Sequence, residues 1–163
     1  MNALTSFTSD DCFAARYGAP LPRALHEKAG DMNWATFTST FCRTSGPLKL
    51  GSWSAAPSRG GRTTFDATFG ITPDQQHPPY IHTATATSFG PIDALTSMLY
   101  DAGFHIEIMS FHQQMITTGD ASDIATFVLC EYDGRLEWSM AVGGTGAESS
   151  IRAIIGAANM LHG

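Results

Sequence analysis

Two short segments carry the residue types most readily turned to chemistry. Ser88-Phe89-Gly90-Pro91-Ile92-Asp93 and Gly144-Thr145-Gly146-Ala147-Glu148 each set glycine directly before a stretch of helical periodicity. A helix starting there presents unpaired main-chain N–H groups and the positive end of its dipole, which attract a carboxylate or a phosphate. Glycine lets a ligand approach the backbone closely. The same residues also suit plain tight strand-to-helix turns. Asp93 and Glu148 fall in first helical turns, where an acid stabilises the dipole without any ligand. Asp93 is alternatively an acceptor for a ligand ammonium. Neither segment has the spacing and following lysine of a phosphate-binding P-loop, and neither fits the dinucleotide fingerprint.

His82, His105 and His112, with Asp93 and Glu107, are the candidate acid–base groups for a pocket enzyme. His105 and His112 read as one strand; their odd separation puts them on opposite faces. His77 in a loop and His82 in a strand form no compact pair. No cysteine or carboxylate completes a zinc pattern, so neither a metal nor another cofactor is expected. There is no Gly-x-Ser-x-Gly elbow. Cys130 reads as a core thiol in mid-strand. Cys42 has one local reason for a lowered pKa, its neighbour Arg43. Three widely spaced cysteines fit reduced thiols in a cytoplasmic protein.

The elements that must position these residues follow from periodicity. Residues 1–46 read as a short helical subdomain. Asp10 and Asp11 cap a helix that ends at Gly18, and a second helix runs from Met32 to Cys42 with Trp34, Phe37 and Phe41 on one face. From Leu48 the period becomes two. Leu48, Leu50 and Ser52 alternate with Lys49, Gly51 and Trp53 in a first strand. Phe65, Ala67, Phe69 and Ile71 mark a second, and Tyr80 to Ser88 a third. Pro91 opens a helix with Ile92, Leu95, Leu99 and Ala102 on one side. The order then recurs: strands over Phe104–Met115, Ile124–Tyr132 and Arg135–Val142, the last two joined at Asp133-Gly134, then a helix with a stripe of Ile151, Ile154, Ile155, Ala158 and Leu161. Residues 47–163 thus predict an α+β domain of two βββα units, a layered sandwich with approximate internal two-fold symmetry.

Composition narrows the function classes. The 163 residues carry a formal net charge of −6 and only 15% charged side chains. The acidic balance argues against nucleic acid or an anionic membrane as partner. No apolar run approaches about 18 residues, the length needed to span a bilayer. The polar start, Met1 to Asp11, lacks the marks of a signal peptide. A chain so poor in charge is expected to hide surface in a subunit interface.

At Ser88-Phe89-Gly90-Pro91-Ile92-Asp93-Ala94-Leu95 the sequence resembles the C-terminal regulatory domain of α-isopropylmalate and citramalate synthases. That family carries a Gly-x-Gly-Pro-hydrophobic-(Asp)-Ala segment at a strand-to-helix junction; Ser88 stands at its first glycine. Gly103-Phe104, Phe111 to Met115, Thr118-Gly119-Asp120-Ala121, Trp138 to Val142, Ser149 to Ala153 and Ala157-Ala158-Asn159 follow in the family's order. The resemblance implies a homodimer that binds a branched-chain amino acid or related small carboxylate as a regulatory ligand. Carried over by position, the pocket takes Gly90, Ile92, Asp93, Ile108, Phe111, Met115 and Ser122. It also implies a separate barrel enzyme as partner. A catalytic (β/α)₈ barrel needs roughly 250 residues, so the synthase condensation is not expected of this stretch alone. The competing expectation is a recruited pocket enzyme, a lyase, isomerase or cyclase, built on the histidines and acids named above.

Overall fold

The computed structural model describes residues 11–163; Asp10, the other candidate cap, lies outside them. Three short helices come first: α1 (Cys12–Tyr17), α2 (Arg23–Ala29) and α3 (Trp34–Phe41). Asp11 caps α1, its carboxylate accepting from Ala14 N–H at 2.6 Å, and it also accepts from Leu21 N–H at 3.3 Å and meets His26 Nδ1 at 2.9 Å. One buried carboxylate thus ties α1, the following turn and α2 together. Asn33 caps α3, so that helix starts later than Met32.

Strands β1 (Leu48–Pro57), β2 (Thr63–Ile71) and β3 (Tyr80–Ser88) form one antiparallel meander, and α4 (Pro91–Asp101) follows. Strands β4 (Glu107–Thr118), β5 (Ala121–Tyr132) and β6 (Arg135–Gly143) form a second, followed by α5 (Gly146–His162). The β5–β6 turn is Asp133-Gly134, both at positive φ (51° and 80°), as a two-residue hairpin of this twist requires. The expected pair of βββα units is therefore the observed fold.

Each unit's first strand carries a β-bulge at the corresponding place, between Leu50 and Ser52 in β1 and between Ile108 and Ser110 in β4. A bulge inserts one residue and reverses the in–out parity beyond it. In β1 this corrects the simple alternation: Trp53 faces inward opposite Ala67 and packs on Phe65 at 5.4 Å, while Ser52 faces out to Thr68.

The main core lies between the two units. Phe65, Phe69, Leu95, Leu99, Val128 and Ile154 are all buried in it. Helix α4 lies on β3, α5 on β5 and β6, and the two helices touch. The outer face of the first sheet stays wet and is hydroxyl-rich, with Ser52–Thr68 and Thr64–Thr87 contacts at 2.9 Å and Thr85 donating to Asp66. The second sheet has no such wet face. Phe127, Trp138 and Met140 turn away from α5 and pack against Phe13, Leu25, Phe37 and Phe41 of the N-terminal helices. Over residues 11–46 the expected helical subdomain is a packed layer, with α2 an element the sequence pattern did not reveal. Among the described residues no helix is long and apolar enough to cross a membrane.

Candidate functional site

The two glycine-to-helix junctions look alike in sequence and differ in the fold. At α5 the helix start is satisfied by the chain itself. Thr145 Oγ1 accepts from Glu148 N–H at 3.1 Å, and Glu148 Oε2 accepts from Gly144 N–H at 3.1 Å. This reciprocal cap takes up two main-chain donors, those of Glu148 and Gly144. Gln113 of β4 closes the junction from the side, its Nε2 lying 2.9 Å from Gly146 O and from Ser150 Oγ.

At α4 no side chain caps the helix. Pro91 has no N–H to offer, and Ala94 N–H bonds back to Gly90 O at 3.2 Å. The N–H groups of Ile92 and Asp93 are left open to a ligand, at the positive end of an 11-residue helix. Ser88 serves the turn: its Oγ donates to Gly90 O at 2.7 Å and accepts from Gly90 N–H at 3.2 Å. Gly90 itself has φ −161°, ordinary extended backbone, and an added Cβ there would meet nothing within 4 Å. The chain's own packing does not demand glycine at this point.

A cavity of about 590 Å³ opens at this junction, lined by Gly90, Pro91, Ile92, Asp93 and Thr96 from α4, and by Ile106, Glu107 and Ile108 at the start of β4. Its polar wall combines open N–H groups with two carboxylates, Asp93 and Glu107; its apolar wall is Ile92, Ile106 and Ile108. Neither acid forms an ion pair among the described residues. Such a site matches a zwitterion with a short aliphatic side chain: N–H groups for the carboxylate, carboxylates for the ammonium, isoleucines for the hydrocarbon.

Of the expected ligand residues, Gly90, Ile92, Asp93 and Ile108 line this cavity. Phe111, Met115 and Ser122 lie outside it but on the same side of the second sheet. The β4 bulge brings this about: Ile108 stands opposite Cys130, and beyond the extra residue Phe111 stands opposite Val128 and Met115 opposite Ile124. Ser122 belongs to the same even-numbered face of β5. Phe111 is 37% and Met115 70% exposed, so an apolar strip leads away from the cavity. Thr96 and Ile106 are lining residues that sequence reasoning did not select. The signal for Thr96 was its place one helical turn beyond Ile92; its hydroxyl donates to Ile92 O at 3.1 Å.

The histidines do not gather at the cavity. His82 faces the first sheet's core side opposite Phe69. His105 precedes β4 rather than sharing a strand with His112, and it stacks on Tyr100 at 3.9 Å. His112 lies on the helix-covered face near Trp138, with Nε2 3.2 Å from Ser110 Oγ. Of the five acid–base candidates, only Asp93 and Glu107 share a wall of the cavity. Nor does Cys42 have a lowered pKa: burial pushes its thiol up to about 12, with the neighbouring Cys12 adding to the effect, and burial holds Cys130 at about 12 as well.

Comparison with known proteins gives the family. The family model described as the LeuA allosteric (dimerisation) domain matches residues 33–162. The chain is 24% identical over 141 residues to the 2-isopropylmalate synthase of Renibacterium salmoninarum, covering 82% of this chain and 23% of that protein. It is 26% identical over 133 residues to the enzyme of that name from Thermobifida fusca, covering 82% and 22%. Against the one from Corynebacterium glutamicum strain R it is 24% identical over 147 residues, covering 88% and 23%. The chain spans less than a quarter of the length of these relatives. With two bulged βββα units and the matched stretch running from α3 to the end of α5, this chain belongs to the LeuA allosteric (dimerisation) domain family.

Proposed function

We propose that this chain is a homodimeric regulatory domain whose Gly90 cavity binds a branched-chain amino acid or a closely related small carboxylate. The observation that carries the reading is the uncapped α4 N-terminus, with Asp93 in its first turn, sharing an isoleucine-lined cavity with Glu107. The exposed strip of Phe111 and Met115 supports a second copy as its cover, because exposed apolar surface beside a site marks an interface. In that dimer Phe111, Met115 and Ser122 would extend the pocket. The relatives bear the name 2-isopropylmalate synthase, and the reading takes as partner an enzyme with a catalytic barrel, in leucine biosynthesis, in the cytoplasm.

Thermal unfolding of the chain with leucine, isoleucine or valine tests the reading. A ligand that binds only the folded state stabilises it by about 2.7 kcal/mol at a hundred times its dissociation constant. A rise in melting temperature with one of the three, lost in Asp93→Ala, is expected. No rise with any of them would remove the amino-acid site.

A further inference from the structure

A second cavity, of about 570 Å³, lies on the other side of the fold, between the α3–β1 connection, β1, the edge of β6 and the outer turns of α5. Its position corresponds to the Gly90 cavity through the internal two-fold. There, the residues leading into the β4 bulge (Ile106 to Ile108) meet the first turns of α4; here, the residues leading into the β1 bulge (Leu48 to Leu50) meet Ile151, Arg152 and Ile155 of α5.

The two cavities have opposite charge. The Gly90 cavity is lined by two carboxylates and no basic side chain. The second is lined by Arg43, Lys49 and Arg152 and by no acidic side chain, in a chain whose net charge is −6. Arg152 is fixed at its edge, donating to Val142 O at 2.9 Å and pairing with Glu148 at 2.6 Å. Arg43 and Lys49 have no ion-pair partner among the described residues. The rest of the wall is apolar: Leu48, Leu50, Met140, Val142, Ile151 and Ile155. Nothing here accepts a hydrogen bond from an ammonium as a carboxylate would. The cavity therefore suits a different molecule from its counterpart, one with a single anionic head and a hydrocarbon tail.

We propose that this cavity binds an aliphatic monocarboxylate, its head group at Arg43, Lys49 and Arg152 and its chain along Leu50, Val142 and Ile155. The proposal stands independently of the amino-acid reading of the Gly90 cavity. Cys42 also lines the site, but its thiol is kept protonated, so the role is binding and not covalent capture.

Trp34 lines the cavity and reports on it. The full chain is titrated with butanoate, hexanoate, octanoate and 1-octanol, following tryptophan fluorescence and, in parallel, heat of binding. Affinity is expected to rise by about fourfold per added methylene, the factor that burial of one CH₂ supplies. Octanoate should bind at least tenfold more tightly than 1-octanol. The double variant R43Q/K49Q, exposed on the surface and folding normally by circular dichroism, should lose at least tenfold for octanoate and leave 1-octanol unchanged. Ile155→Trp, which fills the cavity, should abolish both. A flat series, equal affinity for octanoate and octanol, or full octanoate affinity in the double variant would each overturn the proposal.

Discussion

Asn159, in the last turns of α5, holds Leu48 at the start of β1 by both of its main-chain groups: Nδ2 donates to Leu48 O at 2.9 Å and Oδ1 accepts from Leu48 N–H at 2.8 Å. The clamp spans the two units, and all its atoms are buried. Asn159→Ala leaves a buried donor and a buried acceptor unpaired, a loss of about 2–4 kcal/mol. Urea denaturation should show a lower midpoint with the slope unchanged. A variant as stable as the parent would show that water replaces the amide.

Ser139 offers the opposite case. Its buried Oγ has no hydrogen-bond partner, and it sits where a Cβ on Gly156 would come within 2.8 Å. Ser139→Ala should therefore stabilise the fold by about 1 kcal/mol, since an unpaired buried hydroxyl is removed. Gly156→Val should destabilise it by about 1–3 kcal/mol through overpacking against β6 and the Arg43 carbonyl. Thermal melts of the two variants should move in opposite directions.

The thiols set an alkaline limit. Cys42 and Cys130 have native values of about 12, above the ordinary 9.0, so the folded state keeps protons that the unfolded chain has released. Their contribution to stability is complete below pH 9 and is lost as pH rises from 9 towards 12. Denaturation midpoints at pH 8 and pH 10.5 should differ more for the parent than for Cys42→Ala. At pH 8 a thiol of this kind is ionised to roughly one part in ten thousand, so iodoacetamide should alkylate the fully buried Cys130 only as fast as the chain unfolds. Faster labelling would place that thiol in contact with solvent.

Gly90→Asn tests what the missing cap is for. The site has room for a Cβ and extended φ, so the new side chain can cap α4 and raise stability by a few tenths of a kcal/mol. It would then occupy the N–H groups assigned to a ligand carboxylate. The amino acid that stabilises the parent should do so at least tenfold less effectively. Undiminished binding would move the carboxylate elsewhere in the cavity.

Met115→Glu and Phe111→Asp address the apolar strip. Both residues are exposed in the single chain, so neither change should cost the protomer more than about 0.5 kcal/mol. In sedimentation equilibrium each should shift the protein from dimer to monomer. A dimer that survives both charges would place the subunit contact on another face.

The sequence pattern carried the layer order well, because β-strands with one core face and helices with one apolar stripe write their period directly. Phe65, Phe69 and Leu95 are where that period puts them. It misled at the bulges, since one inserted residue at Gly51 or Met109 reverses parity without changing the letters around it. Phe111 and Ile108 share a face only because of that reversal. Helix α2 went unread because Pro20, Pro22 and Gly30 bracket seven residues whose stability comes from burying Leu25 and Ala29, not from local preference. The difference between the two junctions was out of reach for a similar reason. The side chain that closes the second, Gln113, is 33 residues from Gly146. Cys42 beside Arg43 showed how a neighbour in sequence can be outweighed by burial.

The layer of α1, α2 and α3 over the second sheet has a practical consequence. The family-model match begins at residue 33, yet Phe13, Leu21, Leu25 and Ala29 share a cluster with Phe127 and Trp138. A fragment trimmed at the homology boundary would bare one whole flank of β5 and β6 to water, and it would stick to itself. The smallest piece worth expressing therefore starts no later than Asp11.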